Sequence, residues 1–160
     1  MIVVYIVGGL VGLVVLMSLI GLALPRDHRA SRRATLAKSP ELVWRAISDV
    51  DAYPSWRRGL ERIERLSPTS FREHGSHGAI TFAIDVEEPP SRRVTRISDD
   101  TLPFGGTWTY ELGPDGAGSI LTITEDGFVK NPLFRLLSKT VFSQTATFER
   151  FLADLHAHLS

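Results

Sequence analysis

The sequence predicts an α+β protein, a curved antiparallel sheet wrapped on a long C-terminal helix, with one transmembrane helix in front of it. Three observations carry this prediction. Residues 1–24 hold no charged side chain. Successive segments between Leu60 and Glu125 alternate apolar and polar residues with period two. Phe134, Leu137, Val141, Thr145, Phe148, Leu152, Leu155 and Leu159 recur at steps of three and four. The chain therefore divides into a span (1–24), a short basic linker (25–31) and one folded domain (32–160).

The first segment is Ile, Val, Leu and Gly with Tyr5, Met17 and Ser18 among them. As a helix it measures about 36 Å. A hydrocarbon core of about 30 Å is crossed by that length with some tilt. The competing reading is a cleaved signal peptide with Gly21 and Ala23 at the cleavage site. No basic region precedes the run, and it exceeds a usual signal core, so a retained anchor is the better reading. Arg26, His28, Arg29, Arg32 and Arg33 follow the span, opposed only by Asp27. The positive-inside rule then places the domain in the cytoplasm, on the cell membrane as a single-pass protein. Those residues also suit anionic headgroups, or act only as a stop-transfer flank. Gly8 and Gly12 form a GxxxG, a spacing that lets two helices approach as a homodimer.

In the domain, Arg32–Lys38 reads as a first strand. Ser39 and Pro40 open a helix with Leu42, Val43, Ala46 and Ile47 on its apolar face. Asp49–Trp56 reads as a second short helix or turn, with Asp51 as cap and Pro54 interrupting it. Strands follow at Leu60–Leu66, Ser70–His74 (an edge strand, being short and polar), Ala79–Val86 and Arg92–Ser98. Ile80, Phe82, Ile84 and Val86 share one face of the third of these. Gly106–Leu112 and Ser119–Glu125 flank the turn signal Gly113-Pro114-Asp115-Gly116. The alternation means a sheet covered on one face. Its cover is a helix of about 28 residues, roughly 42 Å, capped by Asn131 and opened by Pro132. A curved sheet on a long helix leaves a cavity between them.

Composition excludes several functions. With no cysteine, disulfide scaffolds, thiolate metal sites and Cys–His nucleophiles are out. Eighteen Lys and Arg balance eighteen Asp and Glu, which argues against nucleic acid as a partner. A chain 43% hydrophobic and 22% charged is not disordered. His74 and His77 bracket a hairpin, but no acid cluster completes a metal site, and a solvated turn explains them. His156 and His158 suit a helix C-terminus. No cofactor motif is present, and no GxSxG elbow places a serine nucleophile.

Several words of the sequence resemble the START-like (SRPBCC) superfamily with its helix-grip fold, which includes polyketide cyclase/dehydrase-like, Bet v 1-like and coenzyme Q-binding proteins. They are Ser39-Pro40-Glu41-Leu42-Val43-Trp44, Ile47-Ser48-Asp49, Tyr53-Pro54-Ser55-Trp56, Phe104-Gly105-Gly106-Thr107-Trp108, Thr122-Ile123-Thr124-Glu125-Asp126-Gly127 and Asn131-Pro132-Leu133-Phe134-Arg135. The resemblance covers residues 31–159 and leaves out the N-terminal helix. It implies a hydrophobic small molecule or lipid held between sheet and helix. The implied lining is Phe82, Ile84, Trp108, Tyr110, Ile123, Glu125, Phe134, Leu137 and Val141, with Trp56 closing one end. Each of these also fits a plain core role, and Trp44 and Trp56 read as packing anchors.

Glu125 is the one catalytic candidate, because alternation turns it inward with Leu121 and Ile123. Partial desolvation there would raise its pKa toward general acid–base work, with Tyr110 as first partner. Water at the strand end, or Arg96, would instead leave it structural. The expected function is a membrane-held domain that binds or transfers a lipid or quinone-like molecule. The alternatives are a cyclase/dehydrase-type enzyme and a protein-interaction module.

Overall fold

Every strand but the first pairs with its neighbour in sequence, and the first crosses the molecule to pair with the last. The computed structural model of the chain describes residues 1–76, 78–140 and 146–160. Helix α1 spans Ile2–Ala23, and β1 runs Asp27–Leu36. Helix α2 (Pro40–Ser48), a 3-10 turn (Val50–Ala52) and α3 (Tyr53–Trp56) follow. The remaining strands are β2 (Leu60–Ser67), β3 (Ser70–Gly75), β4 (Gly78–Glu88), β5 (Arg92–Ile97), β6 (Phe104–Asp115) and β7 (Gly118–Val129). Helices α4 (Pro132–Thr140) and α5 (Ala146–Leu159) end the chain. The seven strands form one antiparallel sheet in the order β1-β7-β6-β5-β4-β3-β2.

Several expectations are corrected. Strand β1 starts at Asp27, inside the expected linker, because His28, Ala30, Arg32, Ala34 and Leu36 all face inward as it pairs with β7. Only the alternate residues, Arg29 and Arg33 among them, face solvent. The edge strands are β1 and β2, so β3 lies inside the sheet. Asp49, not Asp51, caps the 3-10 turn by accepting from the Ala52 amide. Pro54 opens α3 instead of interrupting it, since a missing N–H costs nothing in a first helical turn. Gly113 and Pro114 belong to β6, and the turn to β7 is the tighter Gly116–Ala117.

One bulge alters a whole face. Ile84 pairs with Thr95, but Val86 pairs with Val94, so Asp85 is the extra residue. A bulge turns everything beyond it to the other side. Val86 therefore leaves the face it was expected to share with Phe82 and Ile84. Glu87 takes its place and pairs with Arg93.

Two buried clusters hold the domain. The larger joins Leu36, Val43, Trp44, Ile47, Tyr110 and Leu112 to Leu121, Ile123 and the α5 residues Phe148, Phe151 and Leu155. The smaller joins Val50, Tyr53 and Phe71, with Phe82 and Ile84 packed on it. Asp154, 6% exposed, ties α5 to the end of α3 by accepting from the Arg58 amide and Nε.

The described parts of the expected 28-residue helix rest on different partners. Helix α5 lies on the sheet and α3, whereas α4 packs along α1. Gly21 is where α1 and α4 come closest, because a Cβ there would overlap the Pro132 carbonyl. Met17, Ser18 and Leu24 lie near that contact and are partly covered. Gly8 and Gly12 stand open, with nothing within 4 Å of an added Cβ.

Candidate functional site

The register lines up the inward side chains in rungs across the sheet, since directly paired residues share a face. One rung runs Ala30, Glu125, Trp108, Thr95, Ile84. The next runs Arg32, Ile123, Tyr110, Arg93, Glu87. Phe82 faces inward beside them, paired with Ile97 and stacked on Phe71 with ring centroids 5.5 Å apart. Ile84, Trp108 and Glu125 thus share one line, and Tyr110 and Ile123 the next.

Their environments differ. Tyr110 and Ile123 are fully inside the core, under Phe148 and Phe151 of α5. Trp108 stacks on Phe148 at 4.8 Å and remains half-buried, as do Phe82 and Ile84. Trp56 is wedged between Tyr53, Phe151 and His158. Phe134 lies on α4 and is 47% exposed. Leu137 falls in α4 with its side chain outside the described residues, and Val141 lies outside them altogether.

Glu125 meets His28, not Arg96. Its Oε1 lies 3.5 Å from His28 Nε2, and Trp108 is its neighbour in the rung. Burial raises the Glu125 pKa above the usual carboxylate range, and His28 and Trp108 offset only part of that rise. The His28 ring lies across Gly127, where a Cβ would come within 2.5 Å of it. Arg96 instead forms a fork with Asp85 on the bulge. A shallow depression of about 450 Å³ opens beside this pair, lined by Asp27, His28, Arg29, Asp126, Gly127 and Phe128.

A second polar group inside the fold has no counterpart in the sequence reading. Arg57 and Glu73 form an ion pair, and the guanidinium lies 4.8 Å over the Tyr53 ring. Burial pushes the Tyr53 hydroxyl up to about 12 and drives Tyr110 higher still. Arg93 is fully buried. Its Nη1 and the Tyr53 hydroxyl both donate to the Ile47 carbonyl, at 2.8 and 2.6 Å. Ile47 is in the last turn of α2, so the cation meets the negative end of that helix. Glu87 Oε1 lies 3.4 Å from the same Nη1. The missed signal was an arginine at an inward position of an alternating strand.

His74 bonds to Glu64 at 2.9 Å and His77 lies outside the described residues. Among the described residues no group of three or more His, Asp or Glu is placed to hold a metal. The stretch Val4–Ala23 is one helix long and apolar enough to cross a membrane.

The same architecture occurs in solved structures of low sequence identity. A START superfamily protein from Mycobacterium smegmatis superposes with a TM-score of 0.67 at 20% identity, over 82% of this chain and 97% of that one. A Thalictrum norcoclaurine synthase point mutant, in complex with a transition-state analogue, gives 0.67 at 11% identity, covering 83% and 94%. The di-domain ARO/CYC StfQ of the steffimycin biosynthetic pathway gives 0.64 at 14%, covering 83% of this chain and 50% of that one. No curated protein sequence matches the chain. Residues 27–160 match the family model described as polyketide cyclase / dehydrase and lipid transport. From its first strand to its last helix, the chain belongs to that family of START-like, helix-grip proteins.

Proposed function

We propose that the chain is a membrane-held carrier that binds a lipid or quinone-like molecule against the inner face of its sheet. The observation behind this reading is uneven cover. Helix α5 buries Tyr110 and Ile123 completely, but the apolar face continues across Trp108, Ile84 and Phe82, which stay half-buried. An apolar surface left half-covered inside a curved sheet suits an elongated apolar guest. The length and apolarity of helix α1 support an anchor at a bilayer, where such guests are concentrated, and the basic residues after it favour the cytoplasmic side.

The test is mass spectrometry on full-length protein purified gently from its own membranes, against an anchor-only control. One apolar compound in stoichiometric amount with the domain is the expected result. Filling the half-covered strip with Ile84→Trp should displace it while the fold survives. A folded domain that carries no such compound overturns the reading.

The second reading is an acid–base enzyme of the cyclase/dehydrase type. It is favoured by the raised Glu125 pKa beside His28. Glu125→Gln should then abolish turnover on a cyclisable substrate without loss of fold. Binding without turnover leaves the carrier reading in place.

A further inference from the structure

We infer that the end of the domain nearest α1 is itself seated in the bilayer interface, with α4 lying against the anchor, so that the domain does not swing free. This rests on α1 being a retained span. Helix α1 has 22 residues, about 33 Å, against a hydrocarbon core of about 30 Å. Its end therefore reaches the headgroup boundary with little length to spare. Only residues 24–26 separate it from β1. At up to about 3.6 Å per residue, that link reaches roughly 14 Å even when fully extended. That reach exceeds the headgroup layer, about 5–8 Å thick on each side, so the length of the link does not by itself seat the domain. Two contacts limit its swing: the Val129 amide donates to the Arg26 carbonyl and fastens the link to the end of β7, and α4 packs on α1 at Gly21.

What gathers at this end fits the layer it would enter. Phe104, at the start of β6, is 37% exposed, and Phe134 of α4 is 47% exposed. Phe128 carries Arg26 5.2 Å over its ring and Lys130 at 6.0 Å. Arg135 folds back from α4 to donate to the Val129 and Lys130 carbonyls, which fixes the start of α4 to the sheet. Exposed aromatics beside basic side chains are the composition of a membrane–water boundary. Arg26, Arg29, Lys130 and Arg135 are matched at this end by Asp27, Asp99, Asp100 and Asp126. The balance means that apolar contact seats the domain, and anionic lipid is not required. The opposite end carries the exposed aliphatic side chains Leu42 and Leu66 but no exposed aromatic one, and its β6–β7 turn has no large apolar side chain at 115–118.

The absence of cysteine makes the test clean. Single-cysteine variants Leu13→Cys, Phe104→Cys, Phe134→Cys and Ala117→Cys of the full chain are spin-labelled in phosphatidylcholine vesicles. All four positions are exposed in the fold, so the label displaces no core contact. Collision with oxygen over a water-soluble nickel chelate reports immersion. The expected result is a several-fold higher oxygen-to-nickel ratio at 13, 104 and 134 than at 117. Immersion at 13 with 104 and 134 as wet as 117 keeps the span and overturns the seat. A wet label at 13, or its loss by cleavage, removes the span and the seat together. Immersion of 104 and 134 only after phosphatidylglycerol is added overturns the apolar account.

Discussion

Helices α4 and α5 carry the same apolar period, which the sequence presents as one element, yet they serve different surfaces. Helix α5 sends Phe148, Phe151 and Leu155 into the core and fixes Asp154 onto Arg58. Helix α4 packs on α1 and leaves Phe134 half-exposed. Periodicity shows that a helix has an apolar face, and says nothing about what that face meets. Here one face closes a protein core while the other lies along a helix that is itself apolar all round.

That contrast can be broken most directly by truncation. Phe148→Ala should destabilise the domain by about 3–5 kcal/mol in denaturant unfolding, whereas Phe134→Ala should change it by at most about 0.5 kcal/mol. Equal losses would mean that α4 is part of the core. Asp154→Ala should cost about 2–3 kcal/mol, because it removes charge-assisted bonds to the Arg58 amide and guanidinium and leaves a buried gap. No loss there would mean that α5 needs no fastening to α3.

Gly21→Leu sharpens the other side of the contrast. Its side chain cannot fit against the Pro132 carbonyl, so α4 must leave α1. A spin label at position 134 should become more mobile, with domain stability within about 0.5 kcal/mol of wild type. The smallest effect is a pH dependence at the boundary between the two regions. Burial raises the Glu125 pKa above its unfolded value, so the folded state holds its proton to higher pH. Glu125 then lowers stability as pH rises from the unfolded pKa through the folded one. Glu125→Gln should match wild type near pH 3 and be the more stable protein near pH 7. The reverse order would show that His28 outweighs burial.

Much of this fold is legible in the sequence because its strands are half-covered and alternate. The stretches of β6 and β7 that point inward could be read from Trp108, Tyr110, Leu121 and Ile123 alone. The register then carried Glu125 to the inner face. Its partner was hidden, because His28 lies in a strand whose basic outer residues look like a linker, and the pairing joins opposite ends of the chain. Val86 lies off the face its alternation predicts because one bulged residue, Asp85, has no signature in the hydrophobic pattern. Arg57, Glu73 and Arg93 are hidden in the sequence for a similar reason. A charged residue reads as solvent-facing until a partner or a helix end is seen beside it.

The pairing of β1 with β7 has a consequence for synthesis. Arg29 meets Asp126, so the first strand finds its partner only after about 97 more residues have been made. At about 5–20 residues per second that wait is roughly 5–20 s. Throughout it, β1 presents an unpaired edge that any extended chain could join. The basic side chains that disguise β1 as a linker are also what keep that edge from being claimed early.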